Sequence, residues 1–279
     1  MTTIRGQVQL FSGGTALGAV QVYPAQQIRK ATGQQAAAYS GVSVGSTLSL
    51  LAGQDRLDAA EALWREVDGT KFFQNQRIDV WNGLYSLEPL EKRVKKEASG
   101  HKIKAPCWVG VYDYVSDIYR SIPLHELGTA QEIADAVCCS SNQPFIHHPR
   151  KCVIKKGGLP RSCGDGGVKH VLPLVPPGVE PTEVHAIFCS PTKRVDMESA
   201  DEVNGGLEQG ERALSAMIDR VVVDDYARLV ALSATCPVSV YAPAEYPGKP
   251  FDADRTTILW RLQIVGRKLW EGKQVLGGA

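Results

Sequence analysis

Residues 6–51 read GQVQLFSGGTALGAVQVYPAQQIRKATGQQAAAYSGVSVGSTLSLL, and this stretch decides the fold. Gly6 to Phe11 alternates polar and apolar residues, the period of a strand. Ser12-Gly13-Gly14-Thr15 breaks that run, and Ala16 to about Lys30 follows with a helical pattern that Gly33 can close. Ala36 to Val42 is short and apolar, as a buried strand is. Thr47 to Ala52 then reads as a helix. Strand, glycine turn, helix, strand, sharp turn, helix is the alternation that builds a parallel sheet covered by helices.

Outward from there the pattern continues. Asp55 to Glu66 is amphipathic, with Leu57, Ala60 and Trp64 on one face. Asp68 to Ala105 is polar and less regular, and reads as a helical excursion or lid. Its mixed-sign cluster Glu91 to Glu97 reads as a solvated helix face. Pro106 to Ile122 holds two β-rich runs about Ser116-Asp117, a hairpin. Thr129 to Cys139 is a short helix. Asn142 to Gly167, rich in Pro, Gly and Cys, reads as loop, and Lys155 to Cys163 within it is a second lid candidate. Val184 to Cys189 is a strand, Gly206 to Ser233 the longest helix, and Thr256 to Trp270 the last. The expected fold is α/β: a three-layer α/β/α sandwich with a central, mostly parallel sheet in a single domain over 1–279.

Three motifs carry chemistry. Gly41-Val42-Ser43-Val44-Gly45 is a G-x-S-x-G pentapeptide between strand and helix, the context a nucleophile elbow needs. Ser12-Gly13-Gly14-Thr15-Ala16-Leu17-Gly18 frees backbone N–H groups to converge on a developing oxyanion. Its rival reading is a nucleotide phosphate loop, but neither G-x-G-x-x-G nor G-x-x-x-x-G-K-[ST] is present. Gly164-Asp165-Gly166-Gly167 places an aspartate among glycines, which alone is only a turn. A Ser-His-Asp triad would draw on His101, His125, His147, His148, His170 or His185. None stands in a recognisable late catalytic loop, and His170 is the one nearest Asp165.

In this order the motifs SGGTALG, GVSVG and DGGV resemble the patatin-like phospholipase family. Trp108 to Ile122 is similar to that family's hairpin, Ala136 to Pro149 to the stretch before its aspartate loop, and Val168 to Leu174 to the stretch after it. The resemblance covers about residues 5–235, leaving 236–279 as a C-terminal helical extension. It implies a Ser43–Asp165 dyad, an oxyanion hole from Gly13, Gly14 and Thr15, elbow glycines Gly41 and Gly45, and an aspartate loop with Gly166 and Gly167. It implies acyl-ester hydrolysis of phospholipids or related lipids, with transient contact to a membrane surface and no cofactor. A general esterase, thioesterase or acyltransferase, or an idle lipid- or protein-binding relative, are the alternatives on the same scaffold. Two departures stand out. Thr15 occupies the position of the usual third glycine, where a β-branched residue resists positive φ. Leu17 stands where many members carry arginine.

A net charge of +1 gives no long-range pull toward nucleic acid or anionic lipid. Seven cysteines at irregular spacing, without C-x-x-C, read as reduced thiols. The grouping of Cys138, Cys139, His147, His148, Cys152 and Cys163 matches no standard zinc pattern. Met1 to Leu10 lacks the apolar core of a signal peptide, and no stretch approaches the roughly 18 apolar residues of a membrane span. A cytoplasmic location is therefore expected, although a dedicated secretion machine would leave no such mark. Oligomeric state and the need for a protein activator are not legible.

Overall fold

The computed structural model describes residues 3–66, 87–144, 146–148, 150–193, 206–248 and 253–277. The lid candidate at 68–105 thus falls partly outside the described residues. Strand β1 (Ile4–Phe11) lies at the centre of one nine-stranded sheet. It pairs in parallel with β2 (Ala38–Val42) on one side and β7 (Val179–Ile187) on the other. β3 (Cys107–Asp113) extends the parallel core beyond β2, and β8 (Val238–Tyr241) extends it beyond β7. The margins are antiparallel: β4 (Ile118–Pro123) and β6 (Arg161–Asp165) on β3, β5 (Arg150–Cys152) on β6, and β9 (Gln274–Leu276) on β8.

Successive side chains of a strand point to opposite faces, and two separate cores follow. Phe11, Tyr39, Val109, Val111 and Tyr241 face one core with residues of α1 (Val22–Thr32), α2 (Val44–Gly53), α4 (Glu88–Gly100) and α5 (Ala130–Ser140). α3 (Leu57–Glu66) and the C-terminal helical segment pack there too: α7 (Arg255–Trp260), a π turn (Arg261–Val265) and α8 (Gly266–Glu271). Val8, Leu10, Ala38, Trp108, Ala186 and Val240 face the other core, closed by Val222 and Leu229 of α6 (Gly206–Leu232). Helices on both faces of the sheet give the expected three layers.

The expectations fail in four places. Asn142 to Gly167 is not all loop, since it holds β5 and β6. Their three- and five-residue lengths, and cysteines in place of larger apolar residues, hide the strand pattern. The segment 236–279 contributes β8 and β9 as well as helix. The helix expected from Ala16 divides into a 3-10 turn (Thr15–Gln21) and α1, and the last helix is interrupted by the π turn.

The junction of β1, β2 and α2 is too close for side chains. A Cβ on Gly41 would fall 2.0 Å from the Gly45 carbonyl oxygen, and one on Gly45 would fall 2.3 Å from that of Phe11. Both obstacles are backbone and cannot swing aside. Gly45→Ala is therefore expected to cost about 3 kcal/mol or more, read as a lowered urea midpoint. A midpoint within error of the parent would refute this account of the elbow.

Candidate active site

The edge of β3 is shared by two strands. Gly110 pairs with Val42 of β2 on that edge and with Ser121 of β4 on the other. One residue on, Val111 pairs with Asp165 of β6 and with Arg120 of β4. So β2 leaves the edge of β3 at Val42, and β6 takes it over from the opposite direction at Asp165. The two carboxyl ends meet, and Ser43 and Asp165 are brought side by side by ladder register.

Ser43 caps α2 with φ 54° and ψ −125°, a left-handed conformation that serine rarely adopts. Three contacts hold it there. Its N–H donates to Ser140 Oγ at 2.9 Å, and that hydroxyl donates to the Gly110 carbonyl at 2.7 Å. Its carbonyl accepts from the Ser46 amide at 2.9 Å and from the Ser46 hydroxyl. Ser140 thus ties the elbow to the very residue at which the edge of β3 changes partner.

Asp165 is 4% exposed. Its N–H donates to the Asn142 carbonyl at 3.0 Å, and its Oδ1 accepts from the Gly167 N–H at 2.7 Å. The Ser43 side chain is its other hydrogen-bond partner. Burial pushes the Asp165 pKa up to about 6, against the pull of those two hydrogen bonds toward the ionised form. Asp113, two pleats along the ladder, is the contrasting case. It too is buried, yet hydrogen bonds from Ser116, Val115 and Arg120, with Arg161 nearby, hold its pKa below the ordinary carboxylate value. Arg120 and Arg161 lie 3.2 and 3.0 Å from Asp113. With both cations committed there, Asp165 keeps a basic carboxylate. Neighbouring groups driven to opposite pKa values are a signature of divided roles.

Gly166 and Gly167 let the aspartate loop turn under the site. A Cβ on Gly166 would meet the Gly110 carbonyl oxygen at 2.5 Å, and one on Gly167 would lie 3.0 Å from Asp165 Oδ1. The glycine loop is equally close to the serine, since a Cβ on Gly13 would lie 3.2 Å from Ser43 Cβ. Thr15 adopts φ 49° despite its branched side chain, and its hydroxyl donates to the Gly14 carbonyl at 2.8 Å. The expected resistance to positive φ is therefore met by strain at the residue. Gly13 departs from its expected role in one respect: its N–H donates to the Val171 carbonyl at 2.8 Å. The Gly14 N–H enters none of the described hydrogen bonds. Leu17 is buried, its Cβ 3.5 Å from where a Cβ on Gly14 would fall.

Two supporting residues escaped the sequence reading, Ser140 and Gln21. The Gln21 amide donates to the Ser12 carbonyl and the Ile187 carbonyl, each at 3.0 Å, and so fixes the start of the glycine loop between two strand ends. The signal was present: a glutamine within the apolar run Ala16 to Val22 has to be satisfied by something buried. The His170 ring is engaged by another group. Its Nδ1 lies 3.0 Å from Asp225 Oδ1, and Asp225 also accepts from the Leu172 N–H at 2.7 Å. No described hydrogen bond joins any histidine to Ser43. All seven cysteines are buried and free. Among the described residues no cluster of three potential ligands is placed to hold a metal ion, and no helix is long and apolar enough to cross a membrane.

A strand-end serine, a buried carboxylate partner and a glycine loop thus stand together at one end of the sheet. The Patatin family model, described as patatin-like phospholipase, matches residues 10–176, more than half of the chain and every residue of this site. The chain belongs to the patatin-like phospholipase family, a family of lipid acyl hydrolases. Among solved structures, VipD from Legionella pneumophila is 13% identical, with a TM-score of 0.48 over 99% of this chain and 68% of that one. No curated protein matches.

Asp165 also bears on stability. A folded-state pKa above the unfolded value means that the folded protein binds this proton more tightly than the unfolded chain does. The contribution is then most favourable in acid and declines as pH rises from about 4 to about 6. The loss at neutral pH is on the order of 3 kcal/mol. Asp165→Asn is expected to raise the unfolding free energy at pH 8 by up to about that amount. The gain should vanish below pH 4 in parallel urea titrations, and a gap independent of pH would contradict the assigned shift.

Proposed function

We propose that the chain is a phospholipase A or lysophospholipase that cleaves acyl esters through a Ser43–Asp165 dyad and an acyl-enzyme. The observation that carries this reading is the buried Asp165 carboxyl, hydrogen-bonded to the Ser43 side chain and raised to a pKa of about 6. At neutral pH the carboxylate is mostly ionised and still basic enough to take the hydroxyl proton as Ser43 Oγ attacks the ester carbonyl. The oxyanion is assigned to the Gly14 N–H, with Thr15 beside it, and to the amino end of α2. Asp165 then returns the proton to the departing alcohol. In the second half it takes a proton from water, which attacks the acyl-enzyme; the Ser43 ester bond breaks, Asp165 passes the proton to Ser43 Oγ, and the fatty acid is freed. The chemistry requires no metal or cofactor.

A base with this pKa gives kcat/KM an acidic limb near pH 6, with activity falling tenfold per pH unit below it. The test is release of fatty acid from glycerophospholipid, read by mass spectrometry, for the parent, Ser43→Ala, Asp165→Asn and His170→Gln. Release should fall by at least about a thousandfold for the first two variants. It should stay within severalfold of the parent for His170→Gln, whose ring is bound to Asp225. Full activity in Ser43→Ala, or loss only in the histidine variant, would defeat the dyad. The competing esterase reading predicts faster turnover of short soluble esters than of diacyl lipid.

A further inference from the structure

Half of the exposed large apolar side chains among the described residues lie around one corner of the sheet. Tyr114, Val115 and Ile118 form the tip of the β3–β4 hairpin, Leu159 stands in the β5–β6 loop, and Val168 ends the aspartate loop. Leu159 is 86% exposed and Val115 is 69% exposed. These segments are joined. The Tyr114 N–H donates to the Ser162 carbonyl at 3.2 Å. Lys169, next to Val168, lies 3.2 Å from Asp117 at the hairpin tip and 5.4 Å from the Tyr112 ring.

The corner borders the candidate site. The Tyr114 ring covers Gly164 so closely that a Cβ there would fall 2.2 Å from its hydroxyl, and the next residue is Asp165. Cations outnumber acids here: Arg120 and Arg161 pair with Asp113, Lys169 pairs with Asp117, and Lys155 and Lys156 precede Leu159 in the β5–β6 loop, Lys156 on the side of Gly128 and Glu132. Lys155 and Lys156 are exposed and enter none of the described ion pairs. In sequence they stand at the head of Lys155-Lys156-Gly157-Gly158-Leu159-Pro160-Arg161, a basic loop with one bare leucine and a left-handed glycine at φ 72°.

Isolated apolar residues on a surface are ordinary, but several on joined segments beside an excess of positive charge are not. Apolar side chains that enter the headgroup region, with lysines that meet anionic lipid, are the two ingredients of interfacial binding. We propose that the hairpin tip, the Leu159 loop and Val168 form the surface by which this protein docks on an anionic phospholipid bilayer, with Val115 and Leu159 inserted and Lys155 and Lys156 against the phosphates. The inference rests on the proposed lipid hydrolase activity and gives that activity its approach to the substrate. Docked in this way, the protein brings the strand end that carries Asp165 close to the membrane that supplies the acyl ester.

The test uses full-length protein carrying Ser43→Ala, so that vesicles are not degraded, and sedimentation with vesicles of phosphatidylcholine alone or with phosphatidylglycerol added. Binding should favour the anionic vesicles and weaken with salt. Combined Val115→Asp and Leu159→Asp should weaken it by at least about tenfold. Lys155→Glu with Lys156→Glu should remove the preference for anionic vesicles. In the active background, Val115→Asp with Leu159→Asp should leave hydrolysis of a short soluble ester unchanged, which reports an intact site and fold. Unaltered vesicle binding by these variants, equal binding to both vesicles, or no binding by the parent overturns the docking surface. If the soluble ester is cleaved in those cases, the hydrolase reading survives. Vesicle binding that depends on the corner in a protein that cleaves no ester supports the surface and refutes the activity instead.

Discussion

The arrangement depends on one carboxylate held out of water with a serine hydroxyl and a backbone amide as its named partners. In solution a carboxylate is too weak a base to serve a serine well, and a nearby cation would weaken it further. Here the sheet removes water from Asp165 while the adjacent Asp113 holds Arg120 and Arg161. The second acid thereby protects the basicity of the first. The positive φ of Ser43 and Thr15, the bare glycines beneath the turns, and the bridging Ser140 hydroxyl all bring backbone and the Ser43 side chain close to that one group.

Much of the arrangement was legible from the first fifty residues, because two periods and two glycine breaks sit in order along them. Alternation marked β1, and the G-x-S-x-G pentapeptide between strand and helix marked the elbow. The aspartate could be found only by its glycine neighbours and by the family resemblance. What could not be read was why it stands beside Ser43. That depends on β6 running antiparallel to β3 and meeting β2 end to end, and β6 is five residues of Arg, Ser, Cys, Gly and Asp with no strand period. The hydrogen bond from the Gly13 amide to Val171 was hidden for a similar reason, since a backbone donor leaves no mark on composition.

Whole-chain averages misled in one further respect. A net charge of +1 argued against attraction to anionic surfaces. The acids are not spread evenly, however: Glu88, Glu91 and Glu97 lie on α4, where each has a basic partner. Lys155 and Lys156 of the β5–β6 loop, by contrast, enter none of the described ion pairs. Charge balance in a folded protein is a statement about places, and the sum conceals it.

The end-to-end meeting of β2 and β6 also has a bearing on biosynthesis. A ribosome delivers the elbow early and the aspartate much later, after the whole of β3, β4 and α5 has emerged. Until β6 docks on the vacant half of the β3 edge, Ser43 stands without the carboxylate that the proposed reaction needs, and a serine by itself is an alcohol like any other. The order of translation therefore brings Ser43 and Asp165 together only once β6 has joined the sheet.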